Sequence, residues 1–152
     1  MIDPQSRAVL QSLIQRESHS LLHYVCESFP WISPVEQKAL DQLQQIHREE
    51  VEGLAVLARF LFKHRIVPSA LGSYPMSFTN INYTALDHLL PLLIEHQKSR
   101  TDELQRDLAK IKDAEAPQRV DQYLAIKRRH LQALEDMNQN LKASRQPASI
   151  VP

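Results

Sequence analysis

Apolar residues recur at steps of three and four along four long segments of this chain, the repeat of amphipathic helices rather than strands. The first segment carries Leu10, Ile14, Leu21 and Tyr24, with Leu13 and Val25 beside them. Asp3-Pro4 supplies a cap and a first-turn proline, and Phe29-Pro30 closes the segment, which predicts a helix over about 4–28. Ser33-Pro34-Val35-Glu36 reads as a capping box and opens a second helix over about 34–65, with Leu40, Leu43, Leu54, Leu57 and Leu61 on its stripe. A third helix, over about 84–112, carries Leu86, Leu90, Leu93, Leu104, Leu108 and Ile111, and Pro91 should kink its second turn. The fourth, over about 117–141, carries Val120, Tyr123, Leu134, Met137 and Leu141. Between the second and third helices, residues 66–83 hold Pro68, Gly72 and Pro75 with the aromatics Tyr74, Phe78 and Tyr83. A loop this long inside a compact domain needs a reason, and a crossover along a helical bundle is one. One domain over residues 1–142 and a flexible polar tail over 143–152 complete the expectation.

Each stripe is interrupted at about the same depth. Glu17 breaks the first, His47 and Glu50 the second, Glu95 or His96 with Gln97 beside it and then Arg100 the third, and Lys127 and His130 the fourth. Burying an unpaired charge costs several kcal/mol or more, so four interruptions at one level predict a shared buried polar cluster. Its expected members are Glu17, Glu50, Lys127 and His130, with Arg100 balancing the second carboxylate. On the third helix Glu95 and His96 compete for the inward position. The plainer alternative at each place is a helix turned so that the charge meets water. Gly53 costs about 1 kcal/mol relative to alanine in a helix interior, so a close helix approach or the ring of Tyr24 should need that space. Gly53, Tyr24 and His47 therefore mark a candidate pocket beside the cluster.

Composition narrows the function classes. The 18 basic residues balance the 18 acidic ones, which gives no electrostatic case for nucleic acid or an anionic membrane surface. The longest apolar run, Leu54 to Phe62, is broken by Arg59 and is too short to span a bilayer. The first residues lack a basic stretch followed by an apolar core, so a cytoplasmic protein is expected. With Cys26 alone there is no intrachain disulfide, and no basic neighbour activates its thiol. There is no phosphate-cradling glycine loop and no nucleophile elbow, so no catalytic residue is assigned. His19 and His23 share a helix face but lack a carboxylate to complete a zinc site. Phe60 and Phe62 cannot both join the stripe of Leu57 and Leu61, so the crossover or a second subunit should cover one of them.

The order helix, short loop, helix, long crossover, helix, short loop, helix resembles the ferritin-like superfamily of bacterioferritins, rubrerythrins and related di-iron carboxylate proteins. That family places Glu on its first helix, Glu-x-x-His on the second, Glu on the third and Glu-x-x-His on the fourth. Here Glu17 matches the first position and Glu95 is the candidate for the third. Glu50-Val51-Glu52-Gly53 has Gly53 where histidine is expected, and Lys127-Arg128-Arg129-His130 has Lys127 where glutamate is expected. The resemblance covers residues 5 to 142 and implies an all-α, ferritin-like four-helix bundle, often dimeric, so a homodimer is expected. In the family the two motif glutamates bridge the metals, so the pair Glu50 and Lys127 implies an ion pair in place of the metal pair. Lys127→Ala should then destabilise strongly, while changing Glu50 and Lys127 together to Leu or Met should be tolerated better.

Three function readings follow. In the first, a ferritin-like protein with a degenerate di-metal site and no cofactor serves as a non-catalytic binding or structural module; Lys127 and Gly53 favour it. In the second, Glu50, Glu95 or His96, and His130 hold a single iron, manganese or zinc ion, and the protein is a non-haem metal oxidoreductase acting on oxygen or peroxide. In the third, the space at Gly53 takes a small molecule. Its partner, protein or small molecule, is not written in these motifs.

Overall fold

The computed structural model describes residues 2–28, 32–68, 72–82 and 84–145, and every regular element among them is helical. In chain order these are α1 (Pro4–Ser18), α2 (Leu21–Glu27), α3 (Gln37–Lys63), α4 (Leu86–Lys110) and α5 (Ala116–Arg145). Short 3-10 turns lie at Pro34–Glu36 and Met76–Ile81. Among the described residues no helix is long and apolar enough to cross a membrane.

The single helix expected over 4–28 is two. Ser20 takes an extended backbone (φ −71, ψ 160), its hydroxyl accepts from His23 N at 3.3 Å, and it bonds His23 Nδ1 at 2.6 Å. A serine side chain that satisfies the first free N–H groups starts a new helix there. Asp3 caps α1 as expected, accepting from Ser6 N at 2.9 Å. The buried Ser6 hydroxyl also accepts from Lys112 N at 3.0 Å, which ties the start of α1 to the end of α4.

The expected capping box at Ser33 is a 3-10 turn in which the Ser33 hydroxyl donates to the Glu36 carboxylate at 2.9 Å. Helix α3 ends in a Schellman motif: Ile66 N reaches Leu61 O and Arg65 N reaches Phe62 O, both at 2.9 Å. Arg65 sits at φ 60 in the place that usually takes glycine. Pro91 lies inside α4 without ending it. Asp113 accepts from Glu115 N at 3.1 Å and Ala116 N at 3.0 Å, which opens α5. Helix α5 continues to Arg145, so the start of the expected tail is helical. The rest of that tail, 146–152, and Tyr83 lie outside the described residues.

The buried apolar side chains form two clusters. One gathers Leu10, Leu13, Leu57, Leu61, Leu104 and Leu124; the other gathers Val25, Leu43, Leu86, Leu90, Leu134 and Met137. Chain order through the clusters gives helix direction. Passing from α1 into α2, the chain runs from the first cluster to the second, and α5 does the same; α3 and α4 run from the second to the first. Contacts join α1 to α3 and α4, and α5 to α3 and α4. Between the clusters lies one level at which the buried side chains are polar or charged: Glu17, Glu50, Gln97, Lys127 and His130.

Candidate functional site

Lys127 is the centre of this level. Its side chain has no exposure, and its ammonium meets three oxygens: Glu50 Oε1 at 2.9 Å, Glu17 Oε1 at 3.0 Å and Gln97 Oε1 at 3.1 Å. An ammonium has three protons to donate, so all are used. Burial alone would push Lys127 below the ordinary lysine value, but Glu17 and Glu50 reverse this and hold it above.

Glu50 is the best satisfied acid of the layer. Its second oxygen accepts from Gln97 Nε2 at 2.9 Å and meets His130 Nδ1 at 2.8 Å. Burial raises its pKa, yet Lys127 and His130 outweigh burial and bring it to about 2. The other ring nitrogen of His130 meets Glu49 Oε2 at 2.6 Å, and Glu49 is partly exposed. A ring with a carboxylate on each nitrogen satisfies both when it carries both protons. Glu17 is met less fully. Tyr123 OH donates to its first oxygen at 3.4 Å, and its second oxygen is buried with no hydrogen bond, 3.8 Å from Arg16 Nε.

The structure therefore brings Glu17, Glu50, Lys127 and His130 together, and it corrects the third helix. The inward residue of α4 at this level is Gln97, while Glu95 is exposed and His96 is half-buried beneath the Phe78 ring at 5.7 Å. Burial, then Arg100 and Lys127, hold His96 at about 4. Arg100 does not balance the cluster: it binds Glu103 at 3.1 Å, and Thr101 takes the inward place one residue on. Arg16 extends that outer network to Glu103 at 3.0 Å and Asp107 at 2.7 Å. Glu50, Glu95 or His96, and His130 are accordingly not assembled as a ligand set. Among the described residues no group of three or more His, Cys, Asp or Glu is placed to hold a metal ion.

The candidate pocket at Gly53, Tyr24 and His47 is also not formed. A Cβ on Gly53 would lie 2.9 Å from Tyr123 Cδ2, so Tyr123 of α5, not Tyr24, uses the space. Tyr24 turns away from Gly53, meeting Tyr74 edge to face with ring centroids 5.2 Å apart and donating to Asn82. His47 meets the edge of His23, ring centroids 4.7 Å apart. Burial first, then His47, lowers His23 to about 4, so both rings are held toward neutrality. Burial likewise pushes the Cys26 thiol up to about 12, which keeps it protonated and unreactive. Gln97 stood in the third stripe beside His96 but was not counted in the cluster, and neither was Tyr123. Tyr123 stood in the α5 stripe, but nothing in the sequence paired it with Gly53. No family model, no curated protein and no solved structure matches this chain.

Proposed function

We propose that this chain is a ferritin-like four-helix bundle in which a lysine stands where the family holds its metal pair, and that it serves in the cytoplasm as a non-catalytic structural or binding module. The observation that carries the reading is the Lys127 ammonium between Glu17 and Glu50, at 3.0 and 2.9 Å. A protonated amine cannot ligate a cation, and its charge repels one from the same two carboxylates. The helix directions support the bundle. Helices α3 and α4 run the same way, and between them Ile66 packs in the first cluster while Tyr74 and Phe78 pack in the second. The Gly53 position supports the loss of a ligand, since its space holds a tyrosine ring where the family pattern has histidine.

The test is elemental analysis of untagged protein, as purified and after anaerobic Fe(II) addition and desalting, with a melting curve taken with and without chelator. The expected result is far less than one metal per chain and a melting temperature that chelator leaves alone. One metal per chain, lost in His130→Ala, would replace this reading with a mononuclear metalloprotein. Two metals per chain would overturn the assignment of Lys127.

A further inference from the structure

Glu95 stays out of the buried layer and borders a groove instead. Between α4, the start of α2 and the 3-10 turn at Met76–Ile81 lies an open groove of about 350 Å³, walled by Leu21, Phe78, Ile81 and Leu92. That volume is in the range of small-molecule sites. Leu92 is 42% exposed, so apolar surface faces the opening. Phe78 is backed by Tyr24 and Tyr74, with ring centroids 5.7 and 6.2 Å away. Tyr24 donates to Asn82, and Tyr74 donates to Glu27 at 2.8 Å, so this wall is fastened before any ligand arrives.

Three polar side chains of α4 edge the same groove: Glu95, His96 and Ser99. Glu95 and Ser99 are one helical turn apart, and the His96 ring meets the ring of Phe78. Among the described residues none of the three makes a hydrogen bond or an ion pair, although the His96 ring is half-buried. Burial, then Arg100, holds that ring at about 4, so near neutral pH it is uncharged and offers one nitrogen as an acceptor. Glu95 is then the one charged group lining the groove. The neighbouring cations of α4 are engaged elsewhere: Lys98 pairs with Glu135 at 3.6 Å and Arg100 with Glu103 at 3.1 Å.

We propose that this groove binds a small organic ammonium ion, a primary amine carrying one compact aromatic group. An ammonium has three protons, and the groove edge supplies a carboxylate, an imidazole nitrogen and a hydroxyl to accept them. The aromatic body lies against Leu21, Phe78, Ile81 and Leu92, where leaving water is favourable. An anion of the same size would meet Glu95 with no lining cation to oppose it. A neutral molecule would forgo the charge-assisted bond to Glu95. No residue of the buried charged layer lines the groove, so the proposal is independent of the metal content of that layer.

Calorimetric titration and amide chemical shifts of the full chain with phenethylamine test it. Phenethyl alcohol and phenylacetate serve as probes of similar size and different charge. Saturable binding of the amine is expected, with shifts centred on Leu92, His96 and Ser99, weaker binding of the alcohol and none of phenylacetate. Glu95→Gln keeps the shape and removes the charge, so it should weaken the amine about tenfold and leave the alcohol unchanged. Leu92→Lys sets a cation one turn from Glu95 and should abolish amine binding. Both positions are exposed, so both variants should keep the parent's melting curve. No saturable binding of the amine up to millimolar concentration would overturn the proposal. So would phenylacetate binding as well as the amine, or an amine affinity that Glu95→Gln leaves unchanged.

Discussion

Glu50 and Glu17 flank the same ammonium and are equally buried, yet they are met very differently. Glu50 receives Lys127, Gln97 and His130 across its two oxygens. Glu17 shares Lys127, has one long contact from Tyr123, and keeps an oxygen with no hydrogen bond. A nearby positive charge is common to both, so what separates them is the number of well-placed donors. Inside a protein a carboxylate loses its water, and only direct donors replace it.

The largest effect should come from removing what the two acids share. Lys127→Ala leaves both carboxylates buried and facing one another, and should cost about 3–5 kcal/mol in chemical denaturation. Since Lys127 serves Glu17 as well as Glu50, the compensating variant is a triple change, not the double one that sequence suggested. Glu17→Leu, Glu50→Met and Lys127→Leu together should recover only part of that loss, because Gln97 and His130 still lose Glu50. A Lys127→Ala protein as stable as the parent would mean that the pairing contributes nothing.

With the lysine kept, the acids should part company. Glu50→Ala strands Gln97 and His130 as well as one donor of Lys127, and about 3 kcal/mol is expected. Glu17→Ala leaves the lysine on Glu50 and Gln97, and about 1–2 kcal/mol is expected. Equal losses in urea unfolding would erase the distinction drawn between them.

Acid unfolding sharpens the same contrast. Glu50 is held at about 2 against an ordinary 4.5, so its contribution is complete above pH 4.5 and drains away as pH falls toward 2. His23 and His96 are held near 4 against 6.5. There the unfolded chain takes up protons first, so stability already falls between pH 6.5 and 4. Glu50→Gln should flatten the lower limb of a stability-versus-pH curve and spare the upper one; His23→Leu should do the reverse. A single limb removed by both changes would contradict the assignment.

The smallest effects concern Glu17's tyrosine. Gly53→Ala gains about 1 kcal/mol of helix propensity. It also drives a methyl to 2.9 Å from the Tyr123 ring, for a net loss of about 1 kcal/mol. Tyr123→Phe removes only the 3.4 Å contact and should cost less than about 1 kcal/mol. If Tyr123→Phe costs more than Gly53→Ala, the hydroxyl matters to Glu17 more than its distance implies.

Much of this layer was legible because a charge in an apolar stripe is conspicuous. Glu17, Glu50, Lys127 and His130 all announced themselves that way, and all four are buried together. Gln97 did not, since a neutral amide interrupts a stripe quietly and stood beside the louder Glu95 and His96. That choice also misplaced Arg100, because a stripe through 97 continues to Thr101. The break before α2 was hidden for a related reason: Ile14, Leu21 and Val25 keep helical spacing across it, and only the Ser20 side chain marks it. Periodicity reports which face is apolar; it does not report which side chain will cap a new helix or which ring will fill a gap.

The charged layer between two leucine-rich clusters also fixes how the helices line up lengthwise. A purely apolar stripe tolerates sliding, because moving α5 by one turn, about 5.4 Å, trades one leucine neighbour for another. With Lys127 in the stripe, that slide would drive the ammonium among leucines and leave Glu17 and Glu50 facing each other uncompensated. A single polar residue in a coiled-coil seam sets register in the same way. A group of side chains that adds little net strength to the fold can thus select one alignment from several that hydrophobicity alone would accept.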